Sequence, residues 1–134
     1  MNMQKIRVVN NHLSNIGSIL RMLNEHSIEV VVTNSAEELS RASKLILPGV
    51  GHFSKGSERL DELEIRDVLR DLALKKGIPI LGICLGMQLL FASSAEAEAG
   101  CKGLSLIEGR CEKINPGPHN LKIPHMGWNN VLAI

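Results

Sequence analysis

Residues 78–90, I-P-I-L-G-I-C-L-G-M-Q-L-L, restrict this chain more than any other stretch, because they read as a strand broken at one cysteine and continued as a helix. Residues 78–83 form an apolar run without polar alternation, the pattern of a central parallel strand covered on both faces. Pro79 stands near its start, where a strand tolerates a missing N–H. Gly82 and Gly86 then bracket Cys84 as G-x-C-x-G, the cysteine form of the strand-turn-helix corner called a nucleophile elbow. Glycine is needed there because the backbone is strained and neighbours approach on both sides. A helix starting just past the corner aims its first amides at the sulfur and favours thiolate. The stretch predicts a reactive thiol at the end of a buried strand.

The rest of the chain alternates around that corner. Residues 6–9 are a β-branched strand, followed by a polar loop at 10–14 and by Ile16, Ile19, Leu20 and Leu23 at helical spacing. Residues 28–32 are a second strand, and S-A-E-E at 35–38 is a capping box opening a short helix. Residues 45–47 are a third strand ending in P-G-V-G at 48–51, where glycines let backbone amides turn outward. Residues 57–76 read as one long amphipathic helix with Leu60, Leu63, Val68, Leu69 and Leu72 on its apolar side, stopped by Gly77. The order β-α-β-α-β-α-β-α with short connections predicts an α/β fold, an open, mostly parallel sheet with helices on both faces.

Past the cysteine the texture changes. Residues 89–92 read as an apolar helix and 93–103 as a surface loop, in which 95–99 reads equally as a frayed helix end. Residues 104–107 and 110–114 read as two strands around Glu108 and Gly109, and 115–118 as a turn cluster. The chain closes on an apolar run at 129–134.

With 134 residues the chain is expected to form a single domain over 1–134. Fifteen basic against fourteen acidic residues leave a net charge of +1 with no basic stripe, so no nucleic-acid partner is expected. No apolar run approaches the roughly 20 residues of a membrane span, and M-N-M-Q-K-I-R at the start carries no signal-peptide core, so no membrane association and a cytoplasmic location are expected. The three cysteines lack C-x-x-C spacing, which points to neither a disulfide framework nor zinc; no metal and no cofactor are expected. Cys101 and Cys111 read as structural, and His52 and His125 as loop or packing residues. Trp128, the single tryptophan, reads as a core plug or as an interface residue.

Four segments carry a resemblance: L-P-G-V-G-H-F at 47–53, G-I-C-L-G-M-Q-L-L at 82–90, G-L-S-L-I-E-G at 103–109 and K-I-P-H-M-G-W-N at 122–129. Together they resemble the class I, triad-type glutamine amidotransferases, and more narrowly the glutaminase subunit of imidazole glycerol phosphate synthase, of histidine biosynthesis. The resemblance implies that Cys84 attacks the side-chain carboxamide of glutamine to give a thioester and ammonia. It implies an oxyanion hole from the backbone N–H groups of Val50 and Leu85, with Gly51 and Gln88 holding the substrate. It also implies a heterodimer in which ammonia passes to a (βα)8-barrel cyclase, with Asn15, Pro124, Met126 and Trp128 at the partner face.

Two departures accompany it. Family members carry D-Y-G-x-G-N where residues 10–15 read N-N-H-L-S-N, so a paralogous subunit feeding a sugar-modifying synthetase is the alternative. The resemblance also implies a triad histidine and glutamate beyond position 134, and none of the five histidines here fits that role by motif. Loss of a triad member costs roughly 10³-fold or more in rate. The chain as given is therefore expected to show little or no glutaminase activity. A non-catalytic partner-binding fragment and a different cysteine-elbow enzyme on a similar fold are the remaining readings.

Overall fold

Short β-branched and aliphatic runs pair in parallel as β1 (Ile6–Val9), β2 (Val30–Thr33), β3 (Lys44–Gly49) and β4 (Ile80–Cys84) in a computed structural model that describes residues 5–119 and 121–133. Their spatial order is β2-β1-β3-β4. Parallel neighbours need long crossovers, and the intervening segments supply helices: α1 (Gly17–Glu25), α2 (Ala36–Ser40), and α3 (Phe53–Glu62) with α4 (Arg66–Leu74). The pairing of Val8 with Ile46 puts both on one face, where Leu23 of α1 packs with them. Val9, Leu45 and Leu47 point the other way, into a larger core with Leu39 of α2, Phe53 and Leu60 of α3, and Leu69 and Leu72 of α4. Helices thus cover both faces of a parallel sheet, as the alternation predicts. Only half of the expected capping box forms: the Ser35 hydroxyl accepts from the Glu38 amide at 3.5 Å, but the Ser35 amide donates to Thr33 Oγ1 at 3.0 Å while the Glu38 carboxylate pairs with Arg41.

Several local expectations are overturned. The single helix over 57–76 is two helices, separated at Glu64, whose φ is +54°. Ile65, fully buried, donates its amide to the Leu60 carbonyl and closes the turn. The apolar spacing runs on across this break, so periodicity alone joins the two helices. Arg66 holds the corner, donating to Asp61, to the Ser57 carbonyl at 2.9 Å and to the Lys102 and Gly103 carbonyls at 2.8 and 2.9 Å.

The strand leading to Cys84 is not central. β4 is an edge of the described sheet, and Leu81 and Ile83 are 58% and 36% exposed. They lie on the α1 face, where α1 packs over β1 and β3, and its core cluster does not include them.

Beyond the cysteine, α5 (Leu85–Gln88) is a single turn, and the expected helix over 89–92 gives way to a strand, β5 (Phe91–Ser94). Its partner is one strand, β6 (Ile107–Cys111), running parallel to it. The expected hairpin around Glu108 and Gly109 is therefore absent. Gly109, at φ +108°, sits inside β6 where the register shifts between Phe91 and Ser93, so its turn signal marks a bulge. Residues 95–99 form turns rather than a frayed helix. Gly103 returns the chain beneath β5, and a Cβ there would stand 2.0 Å from the Phe91 carbonyl oxygen.

Described residues from 112 onward form no helix or strand. Trp128 is fully exposed, which rules out the core-plug reading, and Val131 and Leu132 are exposed rather than in a strand. Ile134 and residues 1–4 lie outside the described residues. Among the described residues no helix is long and apolar enough to cross a membrane.

Candidate active site

β4 ends on Cys84 and α5 begins at the next residue, so the thiol stands on the corner itself, exposed, with φ +55° and ψ −118°. This left-handed conformation is uncommon for a residue with a side chain and marks strain held by its surroundings. The surroundings are the two glycines. A Cβ on Gly82 would lie 2.5 Å from the Met87 Cα, and one on Gly86 would lie 1.7 Å from the Leu47 carbonyl oxygen. Backbone therefore presses on the corner from both sides, and only glycine fits. The one-turn length of α5 means that little aligned helix dipole reaches the sulfur, less than the predicted longer helix would bring.

The β3–β4 register pairs Gly49 with Cys84 and so lays residues 48–51 beside the thiol. Gly51, at φ +114°, turns that loop away from the strand. The Leu85 amide is the first of its helix and has no carbonyl within the helix to bond. The Val50 amide is already engaged: it donates to the Leu13 carbonyl at 2.9 Å. Gln88, one turn beyond Cys84, is half-buried and lines a cleft of about 660 Å³ together with Met87, Phe91, Glu96, Arg110 and Cys111. The Cys111 thiol donates to the Gln88 carbonyl at 3.7 Å, and burial followed by the Glu96 charge pushes its pKa up.

Glutamine amidotransferase class-I is the description of the family model that matches residues 7–133. The chain belongs to that family. An imidazole glycerol phosphate synthase subunit HisH 2 of Methanococcus maripaludis is 42% identical over 126 residues, covering 94% of this chain and 61% of that relative. The HisH subunit of Bdellovibrio bacteriovorus is 41% identical over 131 residues, 96% of this chain and 63% of its own length. The chain thus spans about three-fifths of the length of these curated relatives. A solved structure titled as a glutamine amidotransferase superposes with a TM-score of 0.66 at 21% identity, over 79% of this chain and 55% of the other, which agrees with the fold.

In this amidotransferase chain no histidine is hydrogen-bonded to Cys84 among the described residues. His52 Nδ1 accepts from the Ser54 amide at 3.3 Å and caps α3, His125 pairs with Asn129 at 2.7 Å, and His12 pairs with Asn34 at 3.2 Å. Among the described residues no group of His, Cys, Asp and Glu could hold a metal. The residues expected at a partner face do not share one cleft. Asn15 is exposed and its Oδ1 accepts from the Gly17 amide, while Pro124 and Met126 line a different cleft of about 460 Å³ with Ile114 and Leu121. Trp128 projects into solvent.

Sequence reasoning missed Asn11, which is buried and bonds the Pro48 carbonyl beside the corner. Its neighbours in the polar loop read alike, and nothing in the local pattern separates a buried asparagine from a solvated one.

Proposed function

We propose that this chain carries the nucleophilic part of a glutaminase that converts glutamine to glutamate and ammonia, and that the ammonia passes to a (βα)8-barrel cyclase making imidazole glycerol phosphate. The observation that carries the reading is Cys84 on a positive-φ corner, register-paired with Gly49 so that the end of β3 and residues 50–51 run alongside. The family supports the choice of glutamine as substrate, and the names of the relatives support the choice of acceptor.

In this reading the Cys84 sulfur attacks the carboxamide carbon, forming an S–C bond and driving the carbonyl π pair onto oxygen. The oxyanion takes the Leu85 amide as one donor. Val50 supplies the other once its N–H turns from the Leu13 carbonyl, since one N–H cannot serve both acceptors fully. Collapse of the intermediate expels the amide nitrogen, which leaves as ammonia after gaining a proton, and water then releases glutamate from the thioester. Gln88 and Gly51 orient the substrate, and Asn15, Pro124, Met126 and Trp128 meet the cyclase. No cofactor or metal enters these steps. The proton transfers need a base that no described residue offers to Cys84, so the chain by itself turns over little or no glutamine.

The N-N-H-L-S-N loop at 10–15 favours a second acceptor, a sugar-modifying synthetase, because the loop departs from the family pattern where the partner would dock. Size-exclusion chromatography of the chain with each candidate partner, followed by an ammonia-release assay on the complexes, tests both. Co-elution with the cyclase and no release by the chain alone are expected. Release by the chain alone would refute the missing-base argument, and co-elution with the synthetase only would reassign the acceptor.

A further inference from the structure

Asn11 lies in the loop between β1 and α1 and is 1% exposed, although it carries a polar amide. A buried amide needs partners on both its ends, and Asn11 finds them in two different segments. Its Nδ2 donates to the Pro48 carbonyl at 2.8 Å, and its Oδ1 accepts from the Leu13 amide at 3.0 Å. Leu13 in turn accepts the Val50 amide on its carbonyl at 2.9 Å. The three bonds form a closed circuit from Asn11 to Pro48, along the chain to Val50, across to Leu13 and back. Arg59 of α3 braces it, donating Nε to the Asn11 carbonyl at 3.0 Å.

We propose that Asn11 is a positioning residue that keeps the Val50 amide turned toward Leu13 and so sets how readily the oxyanion site beside Cys84 assembles. The inference rests on the reading above that Val50 donates to the oxyanion. With the Pro48 carbonyl pinned, any rotation that frees the Val50 N–H is confined to the peptides between Pro48 and Gly51. Gly51 already sits at φ +114° with nothing within 4 Å of a would-be Cβ, so the far end of that segment has room to turn. The near end is held by the Asn11 amide. Both ends of the amide are required: aspartate at this position keeps an acceptor for Leu13 and loses the donor to Pro48, setting two oxygens face to face.

The test uses the chain with Asn11→Asp and Asn11→Ala. Amide hydrogen exchange is read at Val50, with the Leu45 and Asn10 amides, bonded to Pro79 and Thr33, as references. Cys84 modification is read in parallel as the ratio of its rate with 6-diazo-5-oxo-L-norleucine, whose carbonyl mimics the carboxamide, to its rate with iodoacetamide. Both variants are expected to speed Val50 exchange about tenfold, the worth of one net hydrogen bond, while the references stay within about twofold. The ratio is expected to rise by roughly threefold or more. Unchanged Val50 exchange overturns the proposal, as does acceleration of all three amides together, which is the mark of a structural residue or an unfolded variant. Faster Val50 exchange with an unchanged ratio also overturns it, since the freed amide then serves no oxyanion. Failure of the glutaminase reading shows separately, as a wild-type Cys84 that the diazoketone does not modify.

Discussion

Gly86→Ala puts one methyl group against the corner and tests whether Cys84 is held as described. The new Cβ would stand 1.7 Å from the Leu47 carbonyl oxygen, 2.7 Å from its carbon and 3.2 Å from the Pro48 carbonyl carbon. Heavy atoms rest at about 3.5 Å, so roughly 1.8 Å of separation has to be found. Neither side has a rotamer to yield, because Leu47 belongs to β3 and pairs with Gly82 of β4 while Gly86 belongs to α5. Ordinary overpacking costs about 1–3 kcal/mol, and a backbone clash of this depth belongs with the exceptional substitutions above about 4 kcal/mol. For a domain of this size that lowers Tm by roughly 12–20 °C. Circular dichroism is the assay, since the only tryptophan is exposed and reports little on the core. Gly117→Ala is the control: φ is +66° there and nothing lies within 4 Å, so only about 1 kcal/mol of backbone strain is expected. A Gly86→Ala chain within about 0.5 kcal/mol of wild type would refute the geometry.

Three further outcomes follow from the same structure. Arg66→Ala leaves the Ser57, Lys102 and Gly103 carbonyls without their donor and is expected to cost about 2–4 kcal/mol in urea unfolding, with Arg66→Lys recovering only part because one ammonium cannot span the fork. The hydrogen bond from Arg66 holds the Asp61 carboxyl below its ordinary value of 3.8. A depressed carboxylate stabilises the fold at pH above its unfolded value and loses that contribution as pH falls through the folded one. Because Asp61 is 62% exposed, the wild-type loss in acid, relative to Asp61→Asn, is expected to be at most about 1 kcal/mol; a larger loss near neutral pH would contradict the assignment. The Cys111 thiol, pushed up by burial and by Glu96, is expected to alkylate at pH 8 more slowly in the folded chain than in urea. Equal rates would place it in solvent.

Those features of the fold that rest on backbone contact were legible in the residues. Gly82 and Gly86 announce the corner because two backbone segments stand where their side chains would be, and glycine alone satisfies both. The β-α alternation was legible because hydrophobic spacing reports which face an element buries. What stayed hidden has equally physical causes. Glu64 takes a left-handed turn usually given to glycine, so the helix break carries no marker. Phe91–Ser94 is too short for periodicity to choose between helix and strand, and its pairing with Ile107–Cys111 decides the matter across a distance in sequence. An apolar run such as 80–83 looks the same at the edge of a sheet as at its centre, because exposure depends on which element lies above it. Asn11 was hidden for the same reason: its burial follows from where Pro48 and Leu13 come to rest.

The central claim is that Cys84, and neither of the other cysteines, is the nucleophile that attacks the glutamine side chain. Peptide mapping by mass spectrometry after treatment with 6-diazo-5-oxo-L-norleucine, with and without saturating glutamine, tests it directly. The account predicts modification at Cys84 ahead of Cys101 and Cys111 and its suppression by glutamine. Modification spread evenly over the three cysteines, or labelling of Cys84 that glutamine leaves untouched, would contradict it.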